Sequence, residues 1–172
     1  MKIIEALKKI KDLARKADDI KAKIKEHCAD LDCETPVYPD QRKQISDWLQ
    51  AHSDIIKERA HLKTSIQRTN LATKVTIELG DVFVTKCISE WIDRRKEFAK
   101  LQEDSYRVLT DNGRRESYVS QPTPNSPAVT IKRRLYYDPS ERDKKIELYR
   151  SEPSKIDSTL EIINAVTDLI ES

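Results

Sequence analysis

Four arginines, one lysine and three tyrosines gather in the last third of the sequence: Arg114, Arg115, Tyr118, Lys132, Arg133, Arg134, Tyr136 and Tyr137. Guanidinium groups grip phosphate oxygens in a planar, two-pronged geometry, and tyrosine rings offer faces on which bases stack. The combination points to a phosphate-bearing ligand, a nucleotide messenger or single-stranded nucleic acid, in preference to a bare duplex backbone. If the segment is a strand, Lys132 and Arg134 share one face and Arg133 takes the other. The same residues also read as charged gatekeepers on a solvated edge strand.

Other chemistry is sparse. His27, His52 and His61 are the three histidines, and His52 falls in an apolar stripe where a hydrogen-bonded structural role suits it. His27-Cys28 with Cys33 resembles a ligand set, but the spacing is not that of a zinc site and no second pair completes four ligands. Patterns for a phosphate loop, a dinucleotide fingerprint, a metalloprotease helix or a nucleophile elbow do not occur. Gly80 and Gly113 are the two glycines, too few for a glycine-built phosphate cradle. The acids Asp18, Asp19, Glu103, Asp104 and Glu171 stand among bases, as on solvated helix faces, and none is marked as a general acid. The expectation is a protein without catalytic residues, bound metal or cofactor.

The positioning elements follow from periodicity. Ile3, Leu7, Ile10, Ala14, Ala17, Ile24, Cys28 and Leu31 keep a three-and-four spacing, a coiled-coil-like seam that predicts a first helix of about 30 residues. Ile4, Leu13 and Ile20 widen it. Pro36 and Pro39 end that pattern, and Asp40 can cap a second helix carrying Ile45, Trp48, Leu49, His52, Ile55, Ile56, Leu62 and Ile66. After Asn70 the period becomes two, with Val75, Ile77 and Leu79 alternating with polar residues. Asn70 is therefore the predicted helix stop, in the left-handed conformation. Gly80-Asp81 restarts the chain, and Val84, Cys87, Ile88, Trp91, Ile92, Phe98 and Leu101 predict a third helix to about Leu109. Tyr118-Val119 and Val129 to Ile131 read as two short strands around a loop with prolines at 122, 124 and 127, able to pair with Lys74 to Leu79. Asp138-Pro139 opens a last helix that continues to the terminus, kinked or divided at Pro153.

Ile66-Gln67-Arg68-Thr69-Asn70, followed by Thr73, carries a further signal. It resembles the Ile-x-Arg-Thr-Asn signature of small helical bacterial proteins labelled septicolysin-like, a family without an established activity. The order of elements resembles that family over most of the chain. Gln67, where the family usually has Asn, and the insertion-like segment 121–127 depart from it. The resemblance implies a helical fold and a structural signature at Arg68, Thr69 and Asn70, and supplies no catalytic residue.

Charged residues make up 36% of the 172 and hydrophobic residues 37%, a balance suited to long amphipathic helices. The expected fold is mainly α: one domain over 1–172, an elongated antiparallel bundle of about four long helices, with 72–80 and 114–137 forming a small β appendage. Lysine plus arginine number 32 against 30 acids, so bulk attraction to nucleic acid or anionic membrane is weak. No apolar run matches a signal peptide or a membrane span, which predicts a cytoplasmic protein without a membrane partner. Apolar seams exceed what one narrow bundle hides. Self-association into a homo-oligomer is the leading functional expectation, a phosphate-ligand module the second, and a membrane-active role follows only from the septicolysin-like label.

Overall fold

The computed structural model describes residues 1–110, 117–119, 129–131 and 134–171, the two three-residue segments by their backbone alone. The residues described with their side chains are mainly helical, at 71% helix. In order it forms α1 (Ile3–His27), α2 (Gln41–Ala72), β1 (Lys74–Leu79), β2 (Val82–Cys87), α3 (Ile88–Asp93), a π-helical segment (Arg94–Phe98), α4 (Ala99–Arg107), β3 (Ser117–Val119), β4 (Val129–Ile131) and α5 (Pro139–Val166). These residues divide into two compact units. The first holds Met1–Val75, Cys87–Ser89 and Thr159–Ser172, and the second Thr76–Lys86 and Glu90–Ser158.

In the first unit α1 and α2 pack as a helical hairpin. The non-exposed line of α1 is Ile3, Ala6, Ile10, Leu13, Ala17, Ile20, Ile24 and His27, a strict three-and-four repeat. This corrects the expected seam, because Leu7, Cys28 and Leu31 are exposed. It also ends four residues early. Asp30, Asp32 and Glu34 would bring like charge to the negative end of the helix dipole, and the Gln41 side chain instead donates to the His27 carbonyl at 2.7 Å. Asp40 caps α2 as expected, its carboxylate accepting from the Lys43 amide at 2.9 Å. Tyr38 and Trp48 close the turn around His27, with ring centroids 5.4–5.7 Å apart.

The chain termini complete this unit. Ile3 donates its amide to Thr167, and Leu169 donates to Met1, while Lys2 reaches Asp168 at 2.8 Å and the Val166 carbonyl at 2.8 Å. The last helix therefore stops at Val166, short of the expected terminus, because 167–169 runs as an extended partner of the amino terminus. Ile3, Ala6, Leu62, Ile66, Leu160 and Leu169 are buried in this unit.

In the second unit, β1 and β2 are neighbours joined by the two-residue turn Gly80-Asp81, a connection that only antiparallel strands allow. Gly80 has φ +64°, the left-handed region that glycine enters without strain, and an added Cβ would sit tightly, 3.3 Å from the Leu148 methyl. The segment expected to open the third helix, Val82 to Cys87, is thus a strand, and it takes the pairing expected of 118–119 and 129–131. Its β-branched and aromatic residues, Val82, Phe83, Val84 and Thr85, fit a strand better than a helix. Ile77, Leu79, Trp91, Ala99 and Ile156 form the buried apolar set here. Asp138 accepts from the Ser140 amide at 2.8 Å and Pro139 opens α5, as expected, but the helix runs undivided across Pro153.

Candidate functional site

Of Arg68, Thr69 and Asn70, Thr69 ties most directly into the fold. Asn70 is helical, since α2 continues to Ala72 and turns extended at Thr73, so the expected left-handed stop at Asn70 is corrected. Lys74 onward enters β1, and strand pairing carries the chain out of the helix without a left-handed residue. Thr69 is fully buried and doubly used. Its hydroxyl donates to the Ser65 carbonyl at 2.8 Å and accepts the Ile170 amide at 2.9 Å, tying the carboxy-terminal segment to α2. Asn70 Oδ1 is buried without a hydrogen-bond partner among the described residues. Arg68 is exposed.

A charge seam with two buried carboxylates joins the α3–α4 run to α5 in the second unit. Arg94 grips Glu152 with two hydrogen bonds, 2.7 and 2.9 Å, and also reaches Gln102 at 3.0 Å. Arg95 pairs with Asp157. Glu103, expected on a solvated face, is 5% exposed and accepts from Arg107 at 2.5 Å and from Arg150 at 3.2 Å. The Arg107 hydrogen bonds hold its carboxyl below the usual glutamate range against the opposing effect of desolvation, with Arg150 adding to the stabilisation of charge. Arg94 opens the π-helical segment, and one wide turn there shifts the azimuth of α4 relative to α3. The sequence held a signal for both acids. Glu152 falls at helical spacing between Tyr149 and Ile156, and Glu103 between Ala99 and Tyr106, which puts each on an apolar stripe. Each carboxylate is paired with arginine, Glu152 through both oxygens and Glu103 through Oε1, an arrangement that fixes helix register.

The basic cluster is only partly within the described residues. Strands β3 and β4 pair antiparallel with Tyr118 opposite Thr130, the two short strands that the sequence predicts. Arg114, Arg115, Lys132 and Arg133 lie outside the described residues, as does the Tyr118 side chain. Arg134 is exposed and lies beyond β4, which ends at Ile131. Tyr136 is 90% exposed. Tyr137 instead turns inward, its ring 5.6 Å below the Arg142 guanidinium, which also donates to the Leu109 carbonyl at 3.0 Å.

Cys28 and Cys33 are exposed and Cys87 is half-buried; among the described residues no group of three His, Cys, Asp or Glu is placed to hold a metal. The expectation of a buried Cys28 is corrected, because α1 ends before it. No described helix is long and apolar enough to cross a membrane.

The third surface lies on the α1–α2 hairpin. From Asp18 to His61 not one residue is fully buried, although Ile20, Ile24, Ile45, Trp48 and Ile55 line the seam. Two helices in contact cover only one side of each, so these side chains stay half in water. Leu49 is 54% and Ile56 43% exposed on the adjacent face. Compared with family models, curated proteins and solved structures, the chain matches none of them.

Proposed function

We propose that this is a non-enzymatic protein whose function is assembly: copies associate into a homo-oligomer with a structural or interaction role, in the cytoplasm. The observation that carries the reading is the half-exposed seam from Asp18 to His61. A hairpin with no fully buried residue over that length gains little from folding alone, and each half-buried Ile side chain that a second copy covers adds roughly half of the ~1.5–3 kcal/mol that full burial is worth. The assembly proposed here joins α1 and α2 of one copy to α1 and α2 of another, which differs from the four-helix bundle within one chain that the sequence leads one to expect. Sedimentation equilibrium at micromolar concentration tests it. A mass that is a multiple of the 20.0 kDa chain supports assembly, and a monomeric mass at every concentration overturns it.

A second reading rests on one observation, the exposed Tyr136 two residues after the exposed Arg134 in the segment that follows β4. A tyrosine ring this exposed, with an arginine close by in sequence, suits a nucleotide or a single strand. A thermal-shift screen of mononucleotides, cyclic nucleotides and short single strands at two salt concentrations tests this. A salt-sensitive rise in melting temperature that disappears in Arg134→Ala supports it, and a flat response removes it. The membrane-active role that the septicolysin-like resemblance suggests has no such observation behind it.

A further inference from the structure

The two flanks of the α1–α2 hairpin differ in charge. At 3.6 residues per turn the acids of α2, Asp47, Asp54 and Glu58, fall within an arc of about 40° on one flank. Lys9, Lys16 and Lys23 of α1 share that flank, and Lys9 reaches Glu58 across it at 2.6 Å. Signs are mixed there. The other flank of α2 carries Ile45, Leu49, His52, Ile56, Arg59 and Lys63, within an arc of about 80° that lies about 120–180° from the centre of the acid arc. Ile10, Ala14 and Lys21 stand on the same flank of α1.

Two packed helices leave a groove along each side, and on this second flank the groove is apolar and basic. Leu49 and Ile56 are exposed, and Ile10, Ala14, Ile45 and His52 are half-buried. From Ile45 to Lys63 the flank runs roughly 27 Å along α2. Its bases are Lys21, Lys25, Arg59 and Lys63, and its one acid, Asp18, stands at the outer rim of α1. None of these four bases makes an ion pair among the described residues, and the half-buried Arg59 has a buried Nε with no hydrogen-bond partner there. A guanidinium held half out of water without an acceptor costs stability, and a carboxylate laid in the groove can take two hydrogen bonds from it.

We infer that this groove takes an acidic amphipathic helix of a different protein, its apolar stripe on Ile10, Ile45, Leu49 and Ile56 and a border carboxylate on Arg59. A helix seated this way presents apolar anchors at three- and four-residue spacing. Charge selects the occupant. The same flank of a second copy sets bases against bases, and the α2 acids of that copy lie on its other flank among lysines. The assignment goes beyond the assembly reading and leaves the mixed-charge flank to a second copy.

Fluorescence anisotropy on the full chain tests it with two labelled amphipathic peptides of about 18 residues, the length of the flank. Both have leucine at the apolar positions, and one has glutamate at the borders where the other has lysine. The glutamate peptide is expected to bind about tenfold more tightly at low salt and to lose that preference as salt rises. Arg59→Met is expected to weaken the glutamate peptide about tenfold without lowering the melting temperature, because it removes a charge that the fold leaves unpaired. Lys21→Glu with Lys63→Glu is expected to reverse the preference, and Ile56→Ser to weaken both peptides. Phe83→Ser, at an exposed apolar position of the second unit, is expected to change neither. A glutamate peptide that does not bind, equal affinity for the two peptides, or a preference that survives Arg59→Met and the double reversal overturns the inference. Sedimentation of the wild type separates the two proposals. A monomer that prefers the glutamate peptide overturns assembly and supports this inference, and an oligomer without that preference overturns this inference and leaves assembly standing.

Discussion

Thr69 and Asn70 are adjacent, and the structure assigns them opposite energetic signs. Thr69→Val keeps shape but deletes a hydroxyl that serves Ser65 and Ile170, leaving a part-buried amide without its acceptor. The expected loss is about 1–3 kcal/mol, measured by chemical denaturation, with faster hydrogen exchange at the Ile170 amide as its local mark. Asn70→Ala removes a buried oxygen that has no partner among the described residues and improves helix propensity within α2. Unchanged or higher stability, by up to about 0.5 kcal/mol, is expected from the same measurement; a loss of about 1 kcal/mol would restore the capping role. Sequence could not separate the two residues. Asn after a periodic stretch looks like a helix stop, and only the strand that begins at Lys74 shows that the helix leaves through Thr73.

Arg94, Glu152 and Glu103 set the energetics of the second unit's helices. Arg94→Met strips a buried carboxylate of its bidentate partner and is expected to destabilise by about 3 kcal/mol, whereas Arg94→Met with Glu152→Met is expected to recover most of that. A double variant as unstable as the single one would show that the pair does more than compensate its own burial. Glu103 makes a pH-dependent contribution. Its folded pKa lies below the unfolded value of about 4.3, so its stabilisation is present above that pH and is lost as pH falls through the lowered folded value. Melting temperature followed from neutral pH into the acid range is expected to drop less steeply for Glu103→Gln than for wild type. At this scale the sequence was informative where periodicity is long. The α2 line through Ile45, Trp48, His52, Ile55, Leu62 and Ile66, the Asp40 cap and the Asp138-Pro139 start are all present. It misled at Val82 to Cys87, where Val84, Cys87 and Ile88 match a helical spacing by coincidence and the glycine turn decides for a hairpin. On α1 two interleaved stripes, one through Leu7 and Ala14 and one through Ala6 and Leu13, both satisfy a three-and-four count, and the choice between them belongs to the partner helix.

For the whole molecule, assembly turns on what completes the α1–α2 hairpin. The candidate surface was legible in outline, as apolar seam in excess of partners, but the exposure of Leu49 and Ile56 was not, because they sit beside Trp48 and Ile55 in sequence and only burial tells which pair faces α1. Hydrogen exchange of the α2 amides between Ile45 and Ala60, measured by mass spectrometry over a dilution series, asks the question directly. If a second copy covers this hairpin, those amides are protected at high concentration and lose protection on dilution through the dissociation constant, while amides around the buried Trp91 in the second unit stay unchanged. Exchange between Ile45 and Ala60 that is fast and independent of concentration would contradict assembly through this hairpin.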